Sequence, residues 1–190
     1  MITERIDAIT KISAEYLGVE LPAPKSVKIE ISPRCNLRCS FCALKDRAEQ
    51  PKKDMDADLF RRIVREMRDA GVEEIGLFYL GEPFMAKDLL IECIKYLKED
   101  IKMPYVFLTT NASLADRPAV MAAMAAGLDS LKWSVNAHSP EQYATIMGVA
   151  PKSFARALVN IADAWDVRQK HGYATRLYAS SILYEADQKE

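Results

Sequence analysis

Apolar residues along this chain switch repeatedly between a period of two and a period of three to four. "VKIEI" (27–31) alternates as a strand, and "EEIGLFYL" (73–80), "YVFLTT" (105–110), "SLKWSV" (130–135) and "TRLYASSILY" (175–184) read as four more. Helical spacing fills the gaps between them. Ile6, Ile9, Ile12 or Ser13, and Tyr16 predict a first helix over 3–17 that Gly18 ends, and "LPAPKS" (21–26) is a stiff linker into the main domain. Asp56 caps a helix carrying Leu59, Phe60, Ile63, Val64 and Met67, closed by Gly71. Residues 86–99 put Leu90, Cys93, Ile94 and Leu97 on one stripe. Asp116 and Pro118 open another helix, ended by Gly127, and Ser139, Pro140 and Gln142 start a short one as a capping box. The last, near 153–171, carries Phe154, Leu158, Ile161 and Trp165 as its apolar stripe, with Gly172 after it.

Five strands joined by helical crossovers predict an α/β fold with a parallel sheet. Doubly wound strands, covered by helices on both faces, read as continuous apolar runs. Here the first and fourth alternate: Val27, Ile29 and Ile31 against Lys28 and Glu30, and Leu131, Trp133 and Val135 against Lys132, Ser134 and Asn136. One apolar and one polar face suit an open or partial barrel with a polar lumen, whose ligands gather at the carboxyl ends of the strands. The expected organisation is an N-terminal helix and linker (1–24) followed by one domain (25–190).

Composition narrows the function classes. The chain has 190 residues, 49% hydrophobic and 28% charged, the profile of one ordinary domain. A formal net charge of -1 supplies no basic field for nucleic acid, and no apolar run approaches membrane-spanning length. Four cysteines without a secretory signal point to a reducing cytoplasm, where thiols hold metal or do chemistry.

Three of those four cysteines stand within "ISPRCNLRCSFCAL" (31–44), after the first strand. Cys35, Cys39 and Cys42 lie in a polar loop with Pro33, Arg34, Asn36 and Arg38, a poor setting for inert core thiols. A zinc site would need a fourth ligand, from Cys93, His138, His171 or a carboxylate. Cys93 falls on an apolar helical stripe and reads as a core filler. A four-iron cluster explains the spacing better, because three thiolates leave one iron open for a substrate or cofactor, with Arg34 and Arg38 placed to moderate its charge.

The run Cys35-x-x-x-Cys39-x-Phe41-Cys42 resembles the signature of the radical S-adenosylmethionine (radical SAM) enzymes. The resemblance implies a partial (β/α)6 barrel, a [4Fe-4S] cluster on Cys35, Cys39 and Cys42, and S-adenosylmethionine (SAM) on the open iron. It implies reductive cleavage of SAM to a 5′-deoxyadenosyl radical that takes hydrogen from a peptide or small-molecule substrate, with a flavodoxin- or ferredoxin-like electron donor. "YLGEPF" (79–84) resembles the family's glycine–glutamate motif, so Gly81 and Glu82 would receive the amino group of SAM. By the same resemblance Phe41, Asn111 in "TTNAS", Ser134 and Asn136 at the end of the fourth strand, and Arg176 or Ser180 on the fifth would meet the cofactor. Ser139 is read as a helix cap. "SPEQYATIMG" is similar to members with a SPASM or twitch extension. This chain ends at Glu190 after the fifth strand, with no cysteine beyond Cys93. The expectation is therefore a fragment of a longer protein, or a barrel whose edge a partner or a second copy completes. The competing reading is a non-catalytic module whose three cysteines hold zinc.

Overall fold

The structure, a computed structural model, describes residues 22–183. The expected helix at 3–17 and the last residue of the fifth strand segment, Tyr184, lie outside the described residues. Strands and helices follow the predicted order: β1 (Ser26–Lys28), α1 (Ala57–Asp69), β2 (Glu74–Gly76), α2 (Lys87–Lys95), β3 (Tyr105–Thr110), α3 (Arg117–Ala125), β4 (Ser130–Ser134), α4 (Pro140–Met147), α5 (Lys152–His171) and β5 (Arg176–Ser180). A 3-10 turn, Pro83–Ala86, leads into α2, and a π-helical turn, Tyr96–Asp100, follows it.

Every strand pairing is parallel, and the strands lie in the order β1-β2-β3-β4-β5. An order that never reverses has no switch point, so right-handed crossovers put all the helices on one face and leave the other open. This is the arrangement of a partial barrel. Along β3, Val106, Leu108 and Thr110 are buried toward the helices, while Tyr105, Phe107 and Thr109 are only half-buried. Ile75, Leu77, Leu90, Ile94, Val120, Leu131 and Trp133 complete that helix-side core.

The helix starts form as their capping residues require. Asp56 accepts from the Leu59 N–H at 2.9 Å, Asp116 from Ala119 at 3.1 Å and Ser139 from Gln142 at 3.2 Å. The box at α4 differs in one detail: the Gln142 side chain accepts from the His138 N–H at 3.0 Å, one residue before the cap. Gly148 and Gly172, both at φ 66°, end α4 and α5 in the left-handed conformation.

Two expectations need correction. The ladders of β1 and β2 end earlier than the alternation suggests, at Lys28 and Gly76. Beyond them the backbone bonds go elsewhere: the Met55 N–H to Ile31 at 2.8 Å, and the Leu80 and Gly81 N–H groups to the Glu30 carboxylate at 2.9 and 2.7 Å. On α5 the buried stripe is Ala157, Asn160, Ala164 and Val167, whereas Leu158 and Trp165 are 46% and 55% exposed. Small residues let α5 lie close against its neighbours; Phe154 and Ile161 of the expected stripe pack partly buried against the core, and Leu158 and Trp165 are left on the outside. Among the described residues no helix is long and apolar enough to cross a membrane.

Candidate active site

The cysteine loop leaves β1 at the carboxyl edge of the sheet and is tied down by the segments around it. Arg34 spans Asp54 with its Nε at 3.1 Å from one oxygen and a terminal nitrogen at 2.5 Å from the other, while Ser32 donates to the same carboxylate at 2.7 Å. Gln50 brackets Cys35, accepting from its N–H at 3.2 Å and donating to its carbonyl at 3.1 Å. The second half of the loop rests on the end of α4. The Arg38 N–H donates to the Met147 carbonyl at 3.1 Å and the Ser40 N–H to Ile146 at 2.8 Å, so the loop satisfies carbonyls that the helix end leaves open. A Cβ at Gly148 would stand 2.5 Å from the Arg38 carbonyl oxygen, so the helix stop must be glycine for the loop to approach this closely.

The segment after β2 forms the next wall. Gly81 lies directly on the cysteine loop, and a Cβ there would stand 2.0 Å from the Ser32 carbonyl oxygen. The following Glu82 N–H donates to the Arg34 carbonyl at 2.8 Å. The Glu82 carboxylate is buried and accepts three bonds: from Phe84 N–H at 3.1 Å, Thr110 Oγ1 at 2.7 Å and Asn111 N–H at 2.8 Å. Burial pushes its pKa up, and the three donors pull the other way. Glu82 thus clamps the exit of β3 against the exit of β2.

After β3 three polar side chains close a ring. Asn36 Nδ2 donates to Ser113 Oγ at 2.7 Å, Ser113 Oγ donates to Asn111 Oδ1 at 2.5 Å, and Asn111 Nδ2 donates to Asn36 Oδ1 at 3.1 Å. The chain passes through Ala112 at φ 69°, a strained conformation for a residue with a Cβ. Buried Asn160 of α5 holds it there, donating to the Ala112 carbonyl at 2.7 Å. Of the residues chosen at the fourth strand, Ser134 lines the cavity described below and Asn136 does not. Asn136 is buried, donates to Ser134 Oγ at 3.2 Å and accepts from Ile182 N–H at 2.9 Å, joining the exits of β4 and β5. Arg176 begins β5 and is exposed, at the opposite end of the sheet from the cysteines, so the fold does not bring it to them. Asp54, Gln50, Ser113 and Asn160 escaped sequence reasoning. For Asn160 there was a signal, an amide three residues from Ala157 and four from Ala164 within a helical stripe.

These walls enclose a cavity of about 440 Å³ at the carboxyl ends of the first four strands, lined by Cys35, Cys39 and Cys42 with Phe41, Gly81, Glu82, Asn111 and Ser134. All three thiols are free of disulfides. Burial pushes Cys39 up to about 12, and Cys35 and Cys42 add to the effect. Cys35 is raised by burial first, then by Glu82 and Cys42, against the pull of the Leu37 N–H and Arg38. Soft sulfur donors from three half-buried thiols that line one open cavity fit an iron–sulfur cluster. Arg38 remains beside them, bonded to the Cys35 and Leu37 carbonyls at 3.4 and 3.3 Å, whereas the charge of Arg34 is committed to Asp54. Two of the candidates for a fourth zinc ligand are engaged elsewhere: Cys93 is buried between α1 and α2, and His138 is bonded to Gln142 at 2.8 Å.

The family model of the radical SAM superfamily matches residues 29–175. The chain belongs to this superfamily. Radical SAM proteins bind a [4Fe-4S] cluster and SAM. Among curated relatives, a probable GTP 3′,8-cyclase of Methanococcus maripaludis is 36% identical over 122 residues, covering 64% of this chain and 40% of that protein. A probable GTP 3′,8-cyclase of Methanosarcina mazei is 32% identical over 145 residues, covering 73% of this chain and 41% of that one. The chain thus spans about two fifths of the length of these relatives. Among solved structures, Streptococcus suis SuiB bound to SAM superposes with a TM-score of 0.67 at 26% identity, over 89% of this chain and 37% of that one. The same protein is also known with its precursor peptide SuiA.

Proposed function

We propose that this chain is the core of a radical SAM enzyme, with Cys35, Cys39 and Cys42 holding a [4Fe-4S] cluster and SAM occupying the cavity beside it. The observation that carries this is the convergence of three free thiols with the exits of β2, β3 and β4 on a single cavity. When bound, the cluster supplies the electron that cleaves SAM to a 5′-deoxyadenosyl radical. The protein's own part is placement. Gly81 lets the backbone after β2 approach the cysteine loop, and Glu82 fixes the exit of β3. Asn111 and Ser134 present polar groups to the cofactor, and Phe41 offers a ring at the cavity mouth. Asn136 acts behind Ser134 as a positioning residue. A low-potential flavodoxin- or ferredoxin-like donor in a reducing cytoplasm suits such a cluster. The substrate is a small molecule or a peptide: kinship with probable GTP 3′,8-cyclases favours the first, and likeness to SuiB with its precursor peptide the second.

Anaerobic reconstitution with iron and sulfide tests the reading. The expected result is about four irons per chain and release of 5′-deoxyadenosine from SAM that depends on reductant. A colourless protein with one tightly held zinc and no such product overturns it.

A further inference from the structure

Below the cofactor cavity, the open face of the sheet carries charged side chains that the proposed cofactor chemistry does not use. Strand register places Lys28, Gly76, Phe107, Ser130 and Arg176 in one row. Thr109, Lys132 and Tyr178 form the row above it, and Ser134, which lines the cavity, stands one step higher on β4. The lower row is floored by aromatic rings. A Cβ on Gly76 would meet the Phe107 ring at 2.7 Å, so that ring lies across β2 on the open side. Phe78 packs edge-on against it with centroids 5.7 Å apart, and the Lys28 ammonium stands 5.3 Å above the Phe78 ring.

Lys132 occupies the other flank of this floor. It is half-buried, and among the described residues it makes no ion pair and no side-chain hydrogen bond. Burial pulls its pKa down, and the charge of Lys28 adds to that pull. Of the acidic side chains on this face, Glu30, just after β1, already holds the Leu80 and Gly81 N–H groups, and Glu74, two residues before Gly76 on β2, is buried at the foot of the sheet. A half-buried cation that faces a second cation, and that no carboxylate among the described residues pairs, is held at a cost in free energy, which an incoming anion would offset.

We propose that Lys132, with Lys28 as its second cation, is the anchor for an anionic group of the substrate, a phosphate or a carboxylate. Two residues of strand separate Lys132 from Ser134, about 6.6 Å of rise. The anchored anion therefore sits about that far below the cofactor cavity, which sets the spacing between the substrate's charge and its reacting C–H bond. An aromatic floor between the cations suits an apolar or planar body next to the charge.

This rests on reading the open face as the substrate chamber of a radical SAM core, and the test separates the two. Binding of inorganic pyrophosphate and of tricarballylate to the anaerobically reconstituted chain is measured by calorimetry, with iron determined on the same preparation. One of the two anions is expected to bind, and which one does tells phosphate from carboxylate. Lys132→Met should weaken binding at least about tenfold and Lys28→Met by less, while Lys132→Arg stays within about threefold of wild type. Amine acetylation of the wild type, read by mass spectrometry, needs no variant: the bound anion should protect Lys132 at least about fivefold and leave exposed Lys170 unprotected. Binding that is equal in wild type and Lys132→Met, no protection of Lys132, or no binding of either anion overturns the anchor. Anion binding that depends on Lys132 in a protein that takes up no cluster overturns the family chemistry instead.

Discussion

Adding a single methyl group at Gly81 should disable the site while leaving the rest of the fold in place. The new Cβ would stand 2.0 Å from the Ser32 carbonyl oxygen and 2.9 Å from that of Arg34, and both are backbone atoms. Contacts of this kind stay beyond 3.0 Å in real proteins, so the two segments must part by about 1 Å. That separation breaks the 2.8 Å bond from the Glu82 N–H to Arg34 and stretches the Gly81 N–H bond to Glu30. Overpacking costs about 1–3 kcal/mol and a lost hydrogen bond about 0.5–1.5, so the expected destabilisation of Gly81→Ala is about 2–4 kcal/mol. For a domain of this size that lowers Tm by roughly 5–15 °C. Gly71→Ala is the matched control, with φ +99° and no atom within 4 Å of the added carbon. It carries backbone strain alone, about 1–2 kcal/mol. Scanning calorimetry and reductant-dependent 5′-deoxyadenosine release should show Gly81→Ala losing both stability and activity, and Gly71→Ala only a little stability. If Gly81→Ala melts no lower than Gly71→Ala, or cleaves SAM like wild type, the close approach of the two loops is wrong.

Cys39→Ala should take up no cluster on reconstitution, whereas Cys93→Ala should keep its iron and lose only about 1 kcal/mol of packing; iron and sulfide analysis beside thermal melting checks both. Asn160→Ala should cost about 1–3 kcal/mol, because it leaves the buried Ala112 carbonyl without its donor, and SAM affinity by equilibrium dialysis should fall with it although Asn160 does not line the cavity. The Asp116 carboxyl is held below the usual range, first by its bond from Lys87, with the Ala119 N–H adding to the effect. Its stabilisation is therefore full above the ordinary aspartate range and fades as the pH falls through it. Asp116→Ala should lower stability by about 1 kcal/mol at neutral pH, and the gap from wild type in urea melts should close below about pH 4. A gap that widens in acid would contradict the assignment.

Much of the architecture could be read in advance because it rests on local rules. Alternation on β3 and β4, side-chain caps at Asp56, Asp116 and Ser139, and glycine stops at 148 and 172 each follow from a few neighbouring residues. The three cysteines were legible for the same reason, lying within one loop. What could not be read depends on distant partners. Asp54 meets Arg34, Asn36 meets Ser113, and Arg38 meets the end of α4 only once the sheet has formed. The face of α5 was misjudged because size was taken as the sign of burial. In a tightly packed crossover Ala157 and Ala164 fit where Leu158 and Trp165 do not. Arg176 was chosen for its chemistry, but its register puts it at the wrong end of its strand.

The cysteine loop is fastened on three sides, by the backbone after β2, by the Asn36–Ser113–Asn111 ring and by the carbonyls that end α4, and none of those fastenings involves a metal. In small metal-nucleated folds the unloaded chain has no structure to return to. With these fastenings the chain is expected to fold before a cluster arrives, so the unloaded protein should give a cooperative melt in calorimetry. Loading is then expected to be a separate step from folding, and a protein that has lost its cluster to oxygen should stay folded and take up iron again on reconstitution.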